Sequence, residues 1–279
     1  AKGHTSSSED LTKNSRTHFF SNTTAQLNLD NFLSSDLEIS IQKTSNDTYL
    51  KRFNLFEPIG NEITPLKPAS TKVLESKIKL NLGSENYYLT TSFQSFETLD
   101  GLSSDRFEYV LPSYELTRSF NLKNLNGYLS FNSNGNNYLK NTNVMTTNIA
   151  NNLNYTSFDK YFDNGIKSNF YGLFRNLNSI GKNDKNYEES PQGDIISSYI
   201  YNLSYPLIKE EYKSSNLLTP KMSLRFSPHE MKNHRGTSKR INIDNIYNND
   251  RLALGDSFEE GGSLTFGFDY KKEIEEIED

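Results

Sequence analysis

Between Ser263 and Tyr270 the chain alternates strictly: Leu264, Phe266, Phe268 and Tyr270 fall on one side, and Ser263, Thr265, Gly267 and Asp269 on the other. A period of two is the signature of a β-strand with unlike faces. The pattern recurs along the chain. Leu37, Ile39 and Ile41 share a face in "DLEISIQ", Ile78, Leu80 and Leu82 in "KIKLNL", and Tyr87, Leu89, Thr91 and Phe93 in "NYYLTTSF". Phe107, Tyr109 and Leu111 follow, then Tyr199, Tyr201, Leu203 and Tyr205, then Met222, Leu224 and Phe226.

Between these runs stand Asp100-Gly101, Asn126-Gly127, Asn134-Gly135 and Asn164-Gly165, dipeptides that supply positive φ in tight hairpins. Other connections, notably His229–Asp250 and Lys182–Asp194, are long and hydrophilic. Ala is scarce while Asn, Ser, Thr and aromatic residues are dense, which suits strands and turns rather than helices. The reading is an all-β antiparallel meander, a single segment over residues 1–279 with no fixed-period repeat and with residues 1–24 as loop or frayed chain. At about ten residues per membrane-spanning strand plus connections, that length supplies on the order of 12–14 strands.

Composition sharpens the question of what the apolar faces meet. Only 34% of residues are hydrophobic, yet aromatics reach 13%, with 17 Tyr and 18 Phe, too many for a disordered chain. A polar chain rich in aromatic residues fits sheets with one apolar face. Tyr suits a lipid–water boundary, where the ring is buried and the hydroxyl stays wet, whereas the absence of Trp is unusual for the girdle of a membrane barrel. Residue pattern alone leaves a soluble all-β protein and a membrane barrel both open. No run approaches 18 apolar residues, which rules out a transmembrane helix and says nothing of a barrel. Net charge is -5, so no global cationic field attracts nucleic acid. Without cysteine there is no disulfide or thiolate chemistry. The opening "AKGHTSSSED" has no initiator Met and no secretory signal, and the end "KKEIEEIED" is a charged tail after a strand. Together they read as a piece processed or excised from a longer protein.

Three near-motifs bear on chemistry. "HEMKNH" sets His229 and His234 five residues apart, where a zinc-binding helix needs four to bring both rings to one face. "GDSF" (Gly255–Phe258) contains the nucleophile block of GDS-type lipases. All four histidines (His4, His18, His229 and His234) precede Ser257, whereas those lipases carry their catalytic histidine after the serine. Lys232, Arg235, Lys239 and Arg240, with His234 among them, form a cationic cluster able to grip phosphate, although a solvated loop is the plainer explanation. Catalytic, cofactor and metal sites are therefore not expected, and neither is enzyme activity.

Several blocks resemble one family in its own order. "DTYLKRFNL" (Asp47–Leu55), "RFEYVLPSYELTRSF" (Arg106–Phe120), "YPLIKEEYKSSNLLTPKMSLRFSP" (Tyr205–Pro228) and "NDRLALGDSFEEGGSLTFGFDY" are similar to barrel segments of LptD. This is the lipopolysaccharide-assembly or organic solvent tolerance (OstA) family, here in its α-proteobacterial form. Lys51 stands where Arg is commoner, and the family's periplasmic N-terminal domain and interdomain cysteines are absent.

The resemblance implies a transmembrane β-barrel in the outer membrane of a Gram-negative bacterium, present as an arc of a larger barrel. It implies lipopolysaccharide as cargo, a plug lipoprotein like LptE inside the barrel, and a periplasmic bridge protein like LptA delivering the load. Leu264, Phe266, Phe268 and Tyr270 would then meet outer-membrane lipid, with Thr265 and Asp269 facing a wet lumen. Pro112, Pro206 and Pro220 cannot donate ladder hydrogen bonds and are expected to mark weak points in strand pairing. A diffusion porin or other outer-membrane channel, and a surface-exposed all-β adhesin, are the alternatives.

Overall fold

The computed structural model describes residues 16–56, 66–100, 106–122, 126–140, 143–212, 214–234 and 236–274. In chain order the strands are β1 (His18–Gln26), β2 (Ser34–Thr44), β3 (Val73–Ser84), β4 (Tyr87–Thr98), β5 (Phe107–Leu122), β6 (Gly127–Lys140) and β7 (Val144–Ser157). They continue with β8 (Lys160–Tyr161), β9 (Lys167–Lys182), β10 (Gln192–Ser204), β11 (Leu207–Glu211), β12 (Ser214–Ser227) and β13 (Gly261–Ile274). All belong to one 13-stranded sheet in the order β1-β2-β3-β4-β5-β6-β7-β9-β10-β12-β11, with β13 beside β12 and β8 beside β9. The sheet is antiparallel, up-and-down and not closed, as a partial barrel would be.

By its contacts the chain forms two compact units whose boundary cuts across β5, β6, β7, β9 and β10. The first comprises Ala1–Arg118, Asn132–Ala150 and Asn178–Gly193, and the second Ser119–Phe131, Asn151–Leu177 and Asp194–Asp279.

In the first unit the ladders sort side chains by parity, as alternation demands. Ile39 pairs with Ile78 and Ile78 with Phe93, while Leu82 pairs with Leu89 and Leu89 with Leu116. On the other face Thr24, Glu38, Lys79, Ser92 and Ser113 follow one another across β1 to β5. Pro112 lies where the register slips: Ser92 pairs with Ser113 but Gln94 with Val110, leaving Leu111 and Pro112 opposite Phe93. The extra residue changes the parity of β5. Phe107 and Tyr109 meet the apolar face before the slip, and Tyr114 and Leu116 after it, so both halves of β5 present their greasy side to the same surface.

Asn134-Gly135 lies inside β6 rather than in a hairpin turn, and two further features differ from the sequence expectation. His18–Gln26 is a strand although residues 1–24 read as loop. Its polar residues carry no alternation, and it is the ladder to β2, from His18↔Thr44 to Gln26↔Asp36, that makes it one. Residues 1–15 lie outside the described residues. The second is a helical turn, α1 (Tyr49–Phe53), inside "DTYLKRFNL". Asn46 Oδ1 starts it by accepting from the Thr48 N–H at 3.0 Å and the Thr48 hydroxyl at 2.7 Å, and Asn54 in the left-handed conformation (φ 51) ends it. The turn buries Leu50 against Leu74 and Leu99, a small apolar cap beside Phe20 and Leu55. Arg106 joins this cap to β4, with Nη2 on Asp47 Oδ1 and Nε on Glu97 Oε1, each at 2.7 Å.

In the second unit β10 and β11 meet β12 in one register, Tyr199↔Phe226 through Ser204↔Lys221, then Leu207↔Leu218 through Glu211↔Ser214. They are one strand interrupted at Tyr205-Pro206. Pro220 lies opposite this interruption and accepts the Tyr205 N–H at 3.0 Å without an N–H to return. In an antiparallel ladder a residue's N–H and C=O reach the same neighbour. The missing donor therefore falls on the β10 side, and β12–β13 pairing runs unbroken through Pro220, from Ser214↔Ile274 to Ser227↔Gly261. Pro220→Val supplies the absent donor and is expected to stabilise the hairpin by about 1 kcal/mol. Denaturant unfolding in detergent reads the gain, and no gain would mean that the Tyr205 carbonyl already has a partner.

Candidate functional site

The site is built on β10 to β13, where the sheet has two faces of opposite character. Cross-strand partners on one face are Tyr201, Leu224 and Leu264, then Leu203, Met222 and Phe266, then Leu207, Leu218 and Tyr270. The four side chains of β13 in this surface are uncovered: Leu264 is 54% exposed, Phe266 70%, Phe268 71% and Tyr270 60%. Leu224 and Phe226 of β12 are half exposed beside them. Phe93 and Ile78 of the first unit are also open to the surroundings. The Tyr270 hydroxyl, at one end of the row, donates to Asn216 Oδ1 at 2.7 Å, an apolar ring with a polar tip as at a membrane boundary.

The opposite face reverses the usual rule that cores are apolar. Ser223, Arg225 and Ser227 of β12 are buried, as is Ser198 of β10, with Ile200 buried opposite Arg225. The chain between β12 and β13, residues 228–260, covers this polar face. Arg225 donates from Nη1 to the Glu259 carbonyl at 2.8 Å. Arg251 places Nη2 2.6 Å from Glu259 Oε2 and donates to Ser263 Oγ at 2.8 Å. Arg175, on β9, donates to the carbonyls of Leu254 (2.8 Å) and Gly255 (3.2 Å) and lies 4.8 Å from the Phe258 ring centre. Phe258 packs with Leu173 and Ile196 in a small apolar cluster. Gly267 completes the seat, because a Cβ there would collide with the Tyr247 hydroxyl. Three arginines thus hold a folded-back loop against the polar side of the sheet.

Alternation carries a sign of Arg225, which shares parity with Ser223 and Ser227 between Leu224 and Phe226. No local pattern shows that Arg175, Arg225 and Arg251 converge, because sequence separation hides it. Lys221 and Asp269 form an ion pair on the polar face, with Thr219 and Thr265 across the same ladder.

Within the loop Asp250 lies 3.8 Å from Arg175. Burial pushes its carboxyl pKa upward, and Arg175, the backbone N–H groups of Leu254 and Ala253, and Arg225 pull against that without prevailing. An acid with a raised folded pKa holds its proton more tightly folded than unfolded. Stability therefore falls as pH climbs from the ordinary aspartate range through the raised value, and stays lower above it. Asp250→Asn should accordingly make the loop harder to dislodge at neutral pH, with the difference vanishing in acid. Hydrogen exchange of residues 250–258 at both pH values checks this, and a looser loop at neutral pH would contradict it.

The near-motifs find other employment. His229 Nε2 is 3.3 Å from Ser197 Oγ, and His234 Nε2 is 3.1 Å from Ser257 Oγ. The two rings thus have separate partners. Among the described residues no group of three or more metal-ligating side chains is placed to hold a metal. The fold brings His234 to Ser257 although it precedes it in sequence. The same Nε2 also meets Asp256 Oδ1 at 3.1 Å, and Ser257 is 1% exposed. A triad needs the acid on the other ring nitrogen and an open serine, so the cluster is a fastening within the loop. Lys232, Lys239 and Arg240 of the cationic cluster lie together around a cavity, and Arg235 is outside the described residues.

The exposed apolar surface and buried polar surface define a class: an antiparallel β-sheet whose apolar side is left open and whose polar side is covered. Compared with protein-family models and with curated proteins, the chain matches none.

Proposed function

We propose that this chain is part of the wall of a β-barrel in a bacterial outer membrane, with acyl chains against its apolar face and water against its polar face. The single observation behind this reading is the inverted burial across β10 to β13: Phe266 and Phe268 are more than two-thirds exposed while Arg225 and Ser227 are buried. A backbone in hydrocarbon must satisfy its polar groups in ladders, as this sheet does across its width. No described helix is long and apolar enough to cross a membrane, and a barrel crosses with strands instead.

For the cargo we propose lipopolysaccharide, on the resemblance of the four ordered blocks to LptD. A polar face shields sugars and phosphates from hydrocarbon while acyl chains stay in an apolar phase, because burying such groups in lipid is prohibitive. On this reading the partners are a plug lipoprotein like LptE and a bridge protein like LptA. Depleting the gene in its own cell should leave lipopolysaccharide off the surface, and normal surface lipopolysaccharide would defeat the cargo assignment. The folded-back loop on the polar face favours a second reading, a restricted diffusion channel. That reading expects steady solute conductance in planar bilayers, whereas a glycolipid conduit expects little.

A further inference from the structure

The loop over the polar face contains a cavity of about 610 Å³, within the size range of small-molecule sites. Its wall is unusual for a chain of net charge -5. Lys232, His234, Lys239 and Arg240 line it together with Met231, Leu252 and Leu254, and among the described residues no carboxylate does. Two acids lie near it, Asp194 holding Lys232 at 2.8 Å and Asp256 beside His234 at 3.1 Å. These contacts fix the directions of Lys232 and His234. Arg240 donates from Nη1 to the carbonyls of Thr237 (3.0 Å) and Lys239 (2.7 Å), which steady the guanidinium and leave its charge uncompensated. Leu254 is buried, and its own carbonyl is held by Arg175, so the apolar floor is anchored to the sheet.

From this arrangement the geometry points to a binding site for a phosphoryl group carried on a small, partly apolar molecule. Charge-assisted hydrogen bonds from Lys and Arg are the strong ones for such oxygens, and Met231, Leu252 and Leu254 offer a surface for an adjoining ring or alkyl group. The site stands on the cavity itself and does not require the membrane reading.

The test uses the full chain in a neutral detergent, titrated calorimetrically with inorganic phosphate, glucose 6-phosphate, and short-chain phosphatidylglycerol or phosphatidylcholine. Saturable binding of phosphate or the sugar phosphate, weakened at least tenfold in a Lys239→Gln/Arg240→Gln variant, supports the site with a soluble ligand. Binding confined to phosphatidylglycerol and lost in that variant supports it with a lipid headgroup. Both residues are exposed on the loop, and circular dichroism reports whether the fold survives. A Lys271→Gln control, on β13 away from the cavity, should bind as the parent does. No saturable binding to any probe, or binding that the double variant keeps, overturns the assignment.

Discussion

Arginine in place of Phe266 and Phe268 is expected to keep the chain out of the membrane. Both side chains lie in the middle of β13 on its uncovered face, 70% and 71% exposed, with Met222 and Pro220 as cross-strand partners. If acyl chains cover that face, each arginine near the bilayer midplane costs about 2–4 kcal/mol, a total comparable to the whole stability of many domains. If water covers it, the same changes are surface substitutions, usually within about 0.5 kcal/mol of neutral, and solubility improves. The two environments thus predict opposite results from one variant. Thr265→Lys, on the polar face next to Phe266, serves as the control and should insert normally. Folding into vesicles, followed by membrane flotation and resistance to added protease, reads the outcome. A double variant that inserts as well as the parent would mean that lipid does not cover these rings.

The second large effect is expected at Arg251. Its side chain is 5% exposed and faces Glu259, which is 26% exposed. Truncation to alanine leaves that carboxylate without its cation and Ser263 Oγ without its donor. Breaking a buried pair by removing one partner typically costs about 3–5 kcal/mol. The sheet's backbone ladders do not depend on this pair, so the loss should fall on the loop. Arg251→Ala should therefore speed tryptic cleavage after Lys239 and Arg240 by loosening the loop, while β12 and β13 stay protected. Replacing both partners with apolar residues, Arg251→Met with Glu259→Leu, removes the unpaired charge and should restore much of the resistance. If Arg251→Ala is cleaved no faster than the parent, the three-arginine seat is not what holds the loop. The same variant separates the two functional readings. An unseated loop raises conductance in a diffusion channel and leaves a closed conduit closed.

Much of the architecture is written in local pattern. Alternation in "KIKLNL", "NYYLTTSF" and "SLTFGFDY" placed β3, β4 and β13, because a strand whose two faces meet different surroundings needs unlike side chains at every second position. Where alternation fails, so does the reading. His18–Gln26, with its two phenylalanines adjacent, does not alternate and becomes a strand only because β2 offers it a full ladder. In "RFEYVLPSYELTRSF" the phase changes at Leu111-Pro112, and the register slip is invisible until β4 is laid alongside. Pro220 read as a weak point, yet its missing donor points to β10, so the β13 ladder does not feel it.

The candidate site was legible only in fragments. Lys232, Lys239 and Arg240 stand close enough in sequence to be seen as a group. Arg175 is separated from Leu254 by 79 residues, and no composition or spacing joins them. His234 and Ser257 appeared in the wrong order for a lipase and proved to be neighbours in a different role.

Sequence alone determined that this is a two-faced antiparallel sheet, because strand periodicity is a property of neighbouring residues and needs no distant partner. Only the tertiary structure decided which face is left open and which is covered. That choice depends on where the residues between β12 and β13 come to rest, and on three arginines from different strands and loops that meet there. Such convergence arises from long-range contacts, which a local pattern does not encode.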